Sequence, residues 1–424
     1  MTNAFADRPR VALVTSNFWP ERTGVGQVTT DFAQYLAGEG IEVRVATAMP
    51  YYPEWRIYPD YRGLLGMTEK LGEITIHRAW HLIRPAPRPL NRVAHELSLC
   101  MFATPQIGRA LRDADAAYIF SPDLSLAFTA SVVARTMKVW HALVIQDVQP
   151  DAAIELGMLT NPRAIQLSKW MARDMYNGAD EIFTLGEGMR EKIERDTERR
   201  EKISILKNTV DGKELAPTNG QGKPFRSRFV PENTFAVVHA GNMGKKQDLD
   251  LLLRTAERLR PLHDVRFYVF GDGAVRDEFI RQRAQARLDN VETFPFQPRE
   301  MLPHMLYGAD VVLVSQLPEV VATVVPLKLI TAMAAGAMIV AACAAESDTA
   351  KLVRDSGGGI TVPPSDDRAL ADVLLAIKNG EIETQRYRNA AREYALAHFD
   401  RPATYGPHAN AIRARSQAKR TRRG

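Results

Sequence analysis

Cysteine is nearly absent from this chain: 424 residues hold two, Cys100 and Cys343. They lie far apart and in no Cys-x-x-Cys spacing, so a disulfide framework, a thiolate metal site and a redox motif all lack ligands. A reducing compartment suits such a composition. An export signal is missing too, since MTNAFADRPRVALVTS runs from an acid-containing lead into a short apolar stretch, without a basic start or a cleavage site. The expected location is therefore cytoplasmic. No uncharged run reaches the length of a membrane span; the longest candidate, residues 329–345, is alanine-rich, contains Gly336, and reads as a buried helix turning into a strand. Acidic residues are absent from the last stretch, where Arg413, Arg415, Lys419, Arg420, Arg422 and Arg423 carry more than the whole formal net charge of +5. The body of the protein is close to neutral, which argues against a nucleic-acid partner. There is also no repeat of fixed period, which disfavours a solenoid or a propeller.

What is present is an alternation. Short β-rich apolar runs at 11–15, 43–47, 74–79, 117–120, 142–146, 182–185 and 203–206 are separated by segments of helical period. One helix starts near Gln27 and stops at Gly38 and Gly40. The alternation pauses over 211–231, where Gly212, Pro217, Gly220, Gly222, Pro224 and Pro231 break any period, and restarts with runs at 235–240, 266–270, 291–294, 311–315, 338–342 and 360–362. The expected class is α/β, with two Rossmann-like domains whose parallel sheets face each other across a cleft. The boundaries read as an N-terminal domain over 1–210, a connection over 211–231 and a second, C-terminal domain over 232–390. A helix over 391–412, able to return to the first domain, and a basic disordered tail over 413–424 complete the chain.

Three segments could hold phosphate. After the first strand, Pro20, Thr23, Gly24, Val25 and Gly26 lead into a helix, where glycines let N–H groups approach an anion and the helix dipole favours it. The spacing is not Gly-x-Gly-x-x-Gly, and Thr47, Ala48, Met49 and Pro50 stand where an acidic residue would close the second strand, so a nicotinamide cofactor is not expected. An ordinary tight turn is the competing reading. The second segment runs from His239 through Gly241, Asn242, Met243, Gly244, Lys245 and Lys246 to Gln247, and Gly271, Asp272 and Gly273 repeat the glycine arrangement after the next strand. In the third, Pro326, Leu327, Lys328 and Leu329 precede Thr331, and Lys328 is the only charged residue between Glu319 and Glu346. A buried ammonium needs an anion or a carboxylate; a lysine snorkelling to the surface is the alternative.

With these residues in place the chain resembles the retaining GT-B glycosyltransferases of family four, exopolysaccharide and O-antigen (colanic-acid) type, from Val11 to about Tyr405. The resemblance rests on Pro20 to Gly26, on Gly40-Ile41-Glu42-Val43 and on Pro50-Tyr51-Tyr52-Pro53. Further on it rests on the Gly241 loop, Gly271-Asp272-Gly273, Phe296 with Pro298, Ala309-Asp310-Val311 and Ala332-Met333-Ala334. It implies a nucleoside-diphosphate sugar as donor, with no cofactor and no metal, and a glycan or polyprenyl-diphosphate-linked acceptor. The family's two glutamates, eight residues apart, fall here on Thr323 and Thr331, neither of which can act as a carboxylate. The lysine of its Pro-Ser-Lys is kept as Lys328, an arginine is replaced by Asn242, and Lys246 stands at the position of the phosphate-binding lysine.

The expected roles follow from the charge that builds on the departing phosphate. Lys246 and Lys328 would meet it, with the backbone at Gly24, Gly26, Gly241, Gly271 and Gly273 in support. Asn242, Asp272, Phe296, Thr323, Pro326, Leu327, Leu329 and Thr331 complete the donor site. The acceptor proton would pass to the leaving phosphate or to Asp147 or Asp151, the latter also able to cap a helix. His141 and His239 read as packed residues, and Glu187 as a turn residue or a donor contact. The stretch from Arg84 to Arg112, with Arg88, Arg92 and then Leu97, Leu99, Cys100, Met101, Phe102 and Ile107, reads as a core helix or as a surface helix against anionic lipid, aided by the basic tail. An epimerase of the same fold and a non-catalytic partner are the rival functions.

Overall fold

The computed structural model describes residues 8–21, 24–52, 54–84, 89–155, 159–217, 220–320 and 326–421. The chain forms two compact units, one built from Met1–Lys207 with Tyr405–Gly424, the other from Asn208–Thr404.

Unit 1 contains strands β1 (Arg10–Val14), β2 (Glu42–Ala48), β3 (Gly66–Leu71), β4 (Ile74–Ala79), β5 (Ala116–Ser121), β6 (His141–Ile145), β7 (Glu181–Thr184) and β8 (Ile203–Ile205). They form one sheet in the order β3-β4-β2-β1-β5-β6-β7-β8, parallel except for β3. β5 and β6 are buried along their whole length, which is why their sequences are continuous apolar runs rather than alternating ones. Helices Pro89–Leu111, Leu124–Thr136 and Pro162–Gly178 contribute to the core on one face, and helix Gly24–Gly38 packs on the other through Phe32 and Leu36. The stretch from Arg84 to Arg112 is thus a core helix on one side, with Leu99, Ala103 and Ile107 buried, while Leu97 and Met101 stay exposed. Arg88 lies outside the described residues, as does the side chain of Arg92. Strand β3 was not legible from apolar content: Gly-Met-Thr-Glu-Lys-Leu is partly exposed throughout and is held by pairing with β4.

Unit 2 contains β9 (Phe235–Ala240), β10 (Val265–Phe270), β11 (Val291–Phe294), β12 (Val311–Ser315), β13 (Ile339–Ala342) and β14 (Gly359–Val362), all parallel, in the order β11-β10-β9-β12-β13-β14. The uncharged run over 329–345 is divided between helix Leu327–Ala334 and β13. No helix among the described residues is long and apolar enough to cross a membrane.

Two boundary expectations need correction. Residues 211–231 are part of unit 2: they include helix Lys223–Phe229, whose Phe225 is fully buried against Phe229, Tyr268 and Phe270 at ring separations of 5.9, 6.1 and 6.0 Å. The glycines and prolines that disguised this segment serve close packing, since a Cβ on Gly222 would lie 2.8 Å from the Gly308 Cα. Residues 413–421 are not a disordered tail but the last turns of helix Arg401–Thr421. Their charges are spent on unit 1: Arg413 pairs with Glu39 at 2.7 Å, Arg415 lies 3.6 Å from the Trp140 ring centre, and Lys419 pairs with Asp115 at 3.3 Å. Composition could not reveal these partners. The same helix places Tyr405, Ala409 and Ile412 in the core of unit 1, with Tyr405 at 4.9 Å from the Phe32 ring.

Candidate functional site

In open parallel sheets the ligand-binding groups gather beyond the carboxyl ends of the strands. In unit 2 the loops after β9 and β10 meet there. Gly241 N–H donates to the Phe270 carbonyl at 2.9 Å, Met243 N–H to the Asp272 carbonyl at 2.8 Å, and Gly271 N–H to the Phe294 carbonyl at 3.0 Å. A Cβ on Gly271 would fall 1.9 Å from the Gly241 oxygen, and one on Gly273 2.5 Å from the Met243 oxygen. These glycines are required by the close approach of two backbones. The N–H groups of Gly241 and Gly271, expected to face phosphate, are engaged within the protein, and that of Gly273 donates to Asp272 Oδ1 at 2.7 Å.

Lys328 enters this cradle from the first turn of helix Leu327–Ala334, which Pro326 precedes. Its Nζ donates to Gln247 Oε1, lies 3.4 Å from the Asn242 carbonyl and 3.4 Å from His239 Nε2, and its Cε sits 3.3 Å from where a Gly241 Cβ would be. All three acceptors are neutral. Burial brings the ammonium down to about 8. Burial, with the Lys328 charge beside it, holds His239 well below the ordinary histidine value, so its ring is neutral. His239 was read from the sequence as a packed residue, and it is fully buried, yet its ring nitrogen reaches the ammonium. Gln247 was missed as a partner; the only signal was a polar residue following two lysines.

The other expected donor residues divide. The Lys246 side chain is exposed, and helix Leu249–Arg258 begins after both lysines because Asp248 caps it, accepting from Leu251 N–H at 3.1 Å. Asn242 and Asp272 are exposed at the loop tips, Phe296 is 60% exposed just past β11, and Leu327 is 46% exposed. Leu329 is fully buried in the core of unit 2 and its N–H bonds the Pro326 carbonyl, so it faces away from any ligand. The Thr331 hydroxyl donates back to the Leu327 carbonyl at 2.8 Å, and Thr323 lies outside the described residues. Two polar atoms at the end of β12, Ser315 Oγ and Gln316 Oε1, are buried without a hydrogen-bond partner.

In unit 1, Gly24 opens helix Gly24–Gly38 with a left-handed φ of +57°, Gly26 is buried in its first turn, and Thr23 lies outside the described residues. Asp147 follows β6; burial pushes its carboxyl above the ordinary value, and the negative charge of Asp123 adds to the push. Asp123, beyond the end of β5, was not singled out in the sequence; it sits at the start of helix Leu124–Thr136 without capping it, and its Oδ2 is buried and unpartnered. Asp151 begins the short helix Asp151–Glu155. His141 is a packed residue, bonded to Ser131 at 2.9 Å, and Glu187 opens helix Glu187–Glu194.

Comparison with known proteins agrees with this layout. Residues 23–209 match the family model described as Glycosyl transferase 4-like domain, and 234–379 the one described as Glycosyl transferases group 1. WcaI of Escherichia coli K12, named for colanic acid biosynthesis as a glycosyl transferase, is 26% identical over 404 residues, covering 94% of this chain and 98% of its own. Among solved structures, HepE of Anabaena in complex with UDP superposes with a TM-score of 0.67 at 14% identity, covering 96% of this chain and all of the other. WaaG, a glycosyltransferase involved in lipopolysaccharide biosynthesis, gives 0.66 at 16% identity, covering 95% and 99%. Two parallel-sheet units of this topology, each matched in order by its own family model, make the chain a member of the GT-B glycosyltransferases of family four.

Proposed function

We propose that the protein transfers a sugar from a nucleoside-diphosphate donor to a glycan or polyprenyl-diphosphate-linked acceptor in exopolysaccharide or O-antigen assembly, with retention of anomeric configuration and without a metal. The observation that carries this reading is the Lys328 ammonium, largely buried at the strand ends of unit 2, where its hydrogen-bond partners among the described residues are all neutral. An uncompensated buried cation is complementary to the charge that develops on a departing diphosphate, where one fixed donor is typically worth about 3 kcal/mol of barrier. The UDP in the HepE structure supports a nucleotide donor for this chain, and the name of WcaI supports the polysaccharide context.

Within this reading Lys328 is the principal phosphate cation and Lys246 a second one on the exposed loop. Gly24 and Gly26 present amides, Asn242, Asp272, Phe296, Pro326, Leu327, Thr323 and Thr331 border the donor, and Ser315 and Gln316 can take up sugar hydroxyls. Leaving phosphate, Asp147 or Asp151 receives the acceptor proton. Of the carboxylates, Asp147 suits the task better because its raised affinity for a proton brings it nearer the working pH.

An anionic membrane surface fits unit 1. Leu97, Met101, Val132, Leu167 and Trp170 are exposed on three helices that share one face of the sheet, with Arg163 and Lys169 on the last of them. The basic segment at the chain end is already paired with unit 1 and adds little to that attraction.

The test is turnover with a panel of nucleotide sugars and a polyprenyl-diphosphate-linked acceptor, with and without chelator, reading the anomer of the product by NMR. Transfer with the donor's configuration, insensitive to chelator, is expected. Conversion of the donor without acceptor would instead identify an epimerase. Absence of diphosphate release with every donor would identify a non-catalytic partner.

A further inference from the structure

Beside the loop that follows β1, two charges are shut away from solvent, and neither has a part in the transfer as described above. Glu21 is 2% exposed and Arg78 is fully buried. Each Glu21 oxygen accepts two bonds: Oε1 from the N–H groups of Tyr51 and Tyr52, both at 2.7 Å, and Oε2 from Phe18 N–H and Asn17 Nδ2, both at 3.1 Å. Arg78 donates to the carbonyls of Trp19 and Ala48 and to Glu69 of β3. Burying a carboxylate is costly unless its lone pairs are met, and four donors meet them here.

This construction is not needed to pair the strands. β1 and β2 are already in register from Arg10 opposite Glu42 to Val14 opposite Ala46. What Glu21 joins lies beyond that ladder: the loop after β1 and the loop after β2, at the carboxyl ends of neighbouring parallel strands, where the fold places ligands. Helix Gly24–Gly38 then starts directly against it. A Cβ on Gly26 would stand 2.9 Å from the Glu21 carbonyl oxygen and 3.2 Å from its Cβ, so the first turn of the helix rests on the Glu21 backbone and only glycine permits that contact. Arg78 braces the same loop from the other side through Trp19. A shift of Glu21 is therefore passed on to the glycine turn.

We propose that Glu21 is a positioning residue for the transfer reaction: its buried carboxylate locks the strand-end loops of unit 1 and holds the Gly24–Gly26 turn in the geometry that meets a substrate diphosphate. This rests on the transferase reading, and the diphosphate can belong to the donor or to a lipid-linked acceptor. The bulky apolar and aromatic neighbours, Phe18 and Tyr51, keep water from substituting for the carboxylate, since both are buried.

The experiment compares full-length wild type with Glu21→Gln, Glu21→Ala and Gly26→Ala, measuring kcat, both KM values, affinity for uridine diphosphate and the thermal unfolding curve. Gln keeps the shape and can still accept from Tyr51 and Tyr52, but sets N–H against N–H at Phe18. Glu21→Gln is expected to lower kcat/KM by about tenfold to a hundredfold with cooperative unfolding retained, and uridine diphosphate affinity falls with it if the diphosphate is the donor's and stays at the wild-type level if it is the acceptor's. A rise in donor KM alone would assign the diphosphate to the donor, and a rise in acceptor KM alone to the lipid-linked acceptor. Should Glu21→Ala fail to fold, Glu21→Gln and Gly26→Ala decide. Wild-type kinetics in both, or loss of cooperative unfolding in both, would overturn the positioning role while leaving the transferase intact. An inactive wild type would overturn the transferase reading itself.

Discussion

The Nζ of Lys328 lies 3.4 Å from Nε2 of a fully buried, neutral His239. Because burial has brought the ammonium to about 8, its charge is lost just above neutral pH in the ligand-free protein. In the proposed role it is the cationic form that meets diphosphate, so affinity for uridine diphosphate should fall as pH rises through about 8. Binding should also take up about half a proton near pH 8, rising toward one near pH 9, because the bound anion raises the lysine's proton affinity. Calorimetry in buffers of different ionisation enthalpy reads both quantities. A flat profile across that window would separate Lys328 from the phosphate.

Replacing Lys328 with Met should lower turnover by about a hundredfold, as loss of one fixed donor to a developing anion does, and leave the fold intact because the unbranched stem is kept at similar length. Lys246→Ala, on the exposed loop, should cost up to about fivefold, the scale of a solvated charge. Steady-state rates of the two variants side by side test the ranking; a larger effect at residue 246 would reverse the assignment.

Truncation after Thr404 should destabilise unit 1 and spare unit 2. It removes Tyr405, His408, Ala409 and Ile412 from the core around Phe32, of which the buried Tyr405 and Ile412 alone are worth about 2–5 kcal/mol each. Differential scanning calorimetry should show one transition moving down sharply while the other stays. A single unshifted pair of transitions would mean that the helix is not part of that core.

Unit 1 should also weaken in acid. Burial brings both His81 and His408 down to about 4. Unfolded histidines titrate near 6.5, so between about 6.5 and 4 the unfolded chain binds more protons, and stability is lost as pH falls through that range. His408→Phe, which keeps an aromatic ring against Phe32, Tyr118 and Phe183 but cannot titrate, should flatten the dependence. Denaturant midpoints at pH 7 and pH 5 for the variant and the wild type measure it.

In unit 2, Phe225→Ala should cost about 3–5 kcal/mol, and Gly308→Ala about 1–3, since its Cβ would lie 2.8 Å from the Gly222 Cα. Equilibrium unfolding checks both. Insensitivity at these positions would return 211–231 to the status of a linker.

The parallel sheets were legible because a strand buried on both faces has to be apolar throughout, as Ala-Ala-Tyr-Ile-Phe-Ser of β5 is. Strand β3 escaped because an edge strand with Thr68 and Lys70 exposed needs only a partner, not an apolar code. At the strand ends of unit 2, sequence drew attention to Lys328 by its isolation among uncharged residues, and the structure supplies the reason for attending to it: a largely buried ammonium whose three hydrogen-bond acceptors are neutral. Glycines were ambiguous by nature. Gly241, Gly271 and Gly273 looked like openings for phosphate, yet at Gly271 and Gly273 the space lets one backbone pass another, and at Gly241 it admits the Lys328 side chain. Glu21 drew no attention in the sequence, because its four donors are backbone and amide groups from residues 17 to 52 that only folding brings together.

The helix that ends the described chain has a consequence for biosynthesis. A ribosome emits roughly 200 residues of unit 2 between Lys207 and Tyr405, which at roughly 5–20 residues per second takes about 10–40 s. Throughout that interval the nascent N-terminal half presents Phe32, Tyr118 and Phe183 without the helix that packs on them, a sticky trough awaiting a later segment of its own polypeptide. Chaperone dependence during translation, rather than any property of the finished enzyme, is where this chain order will be felt.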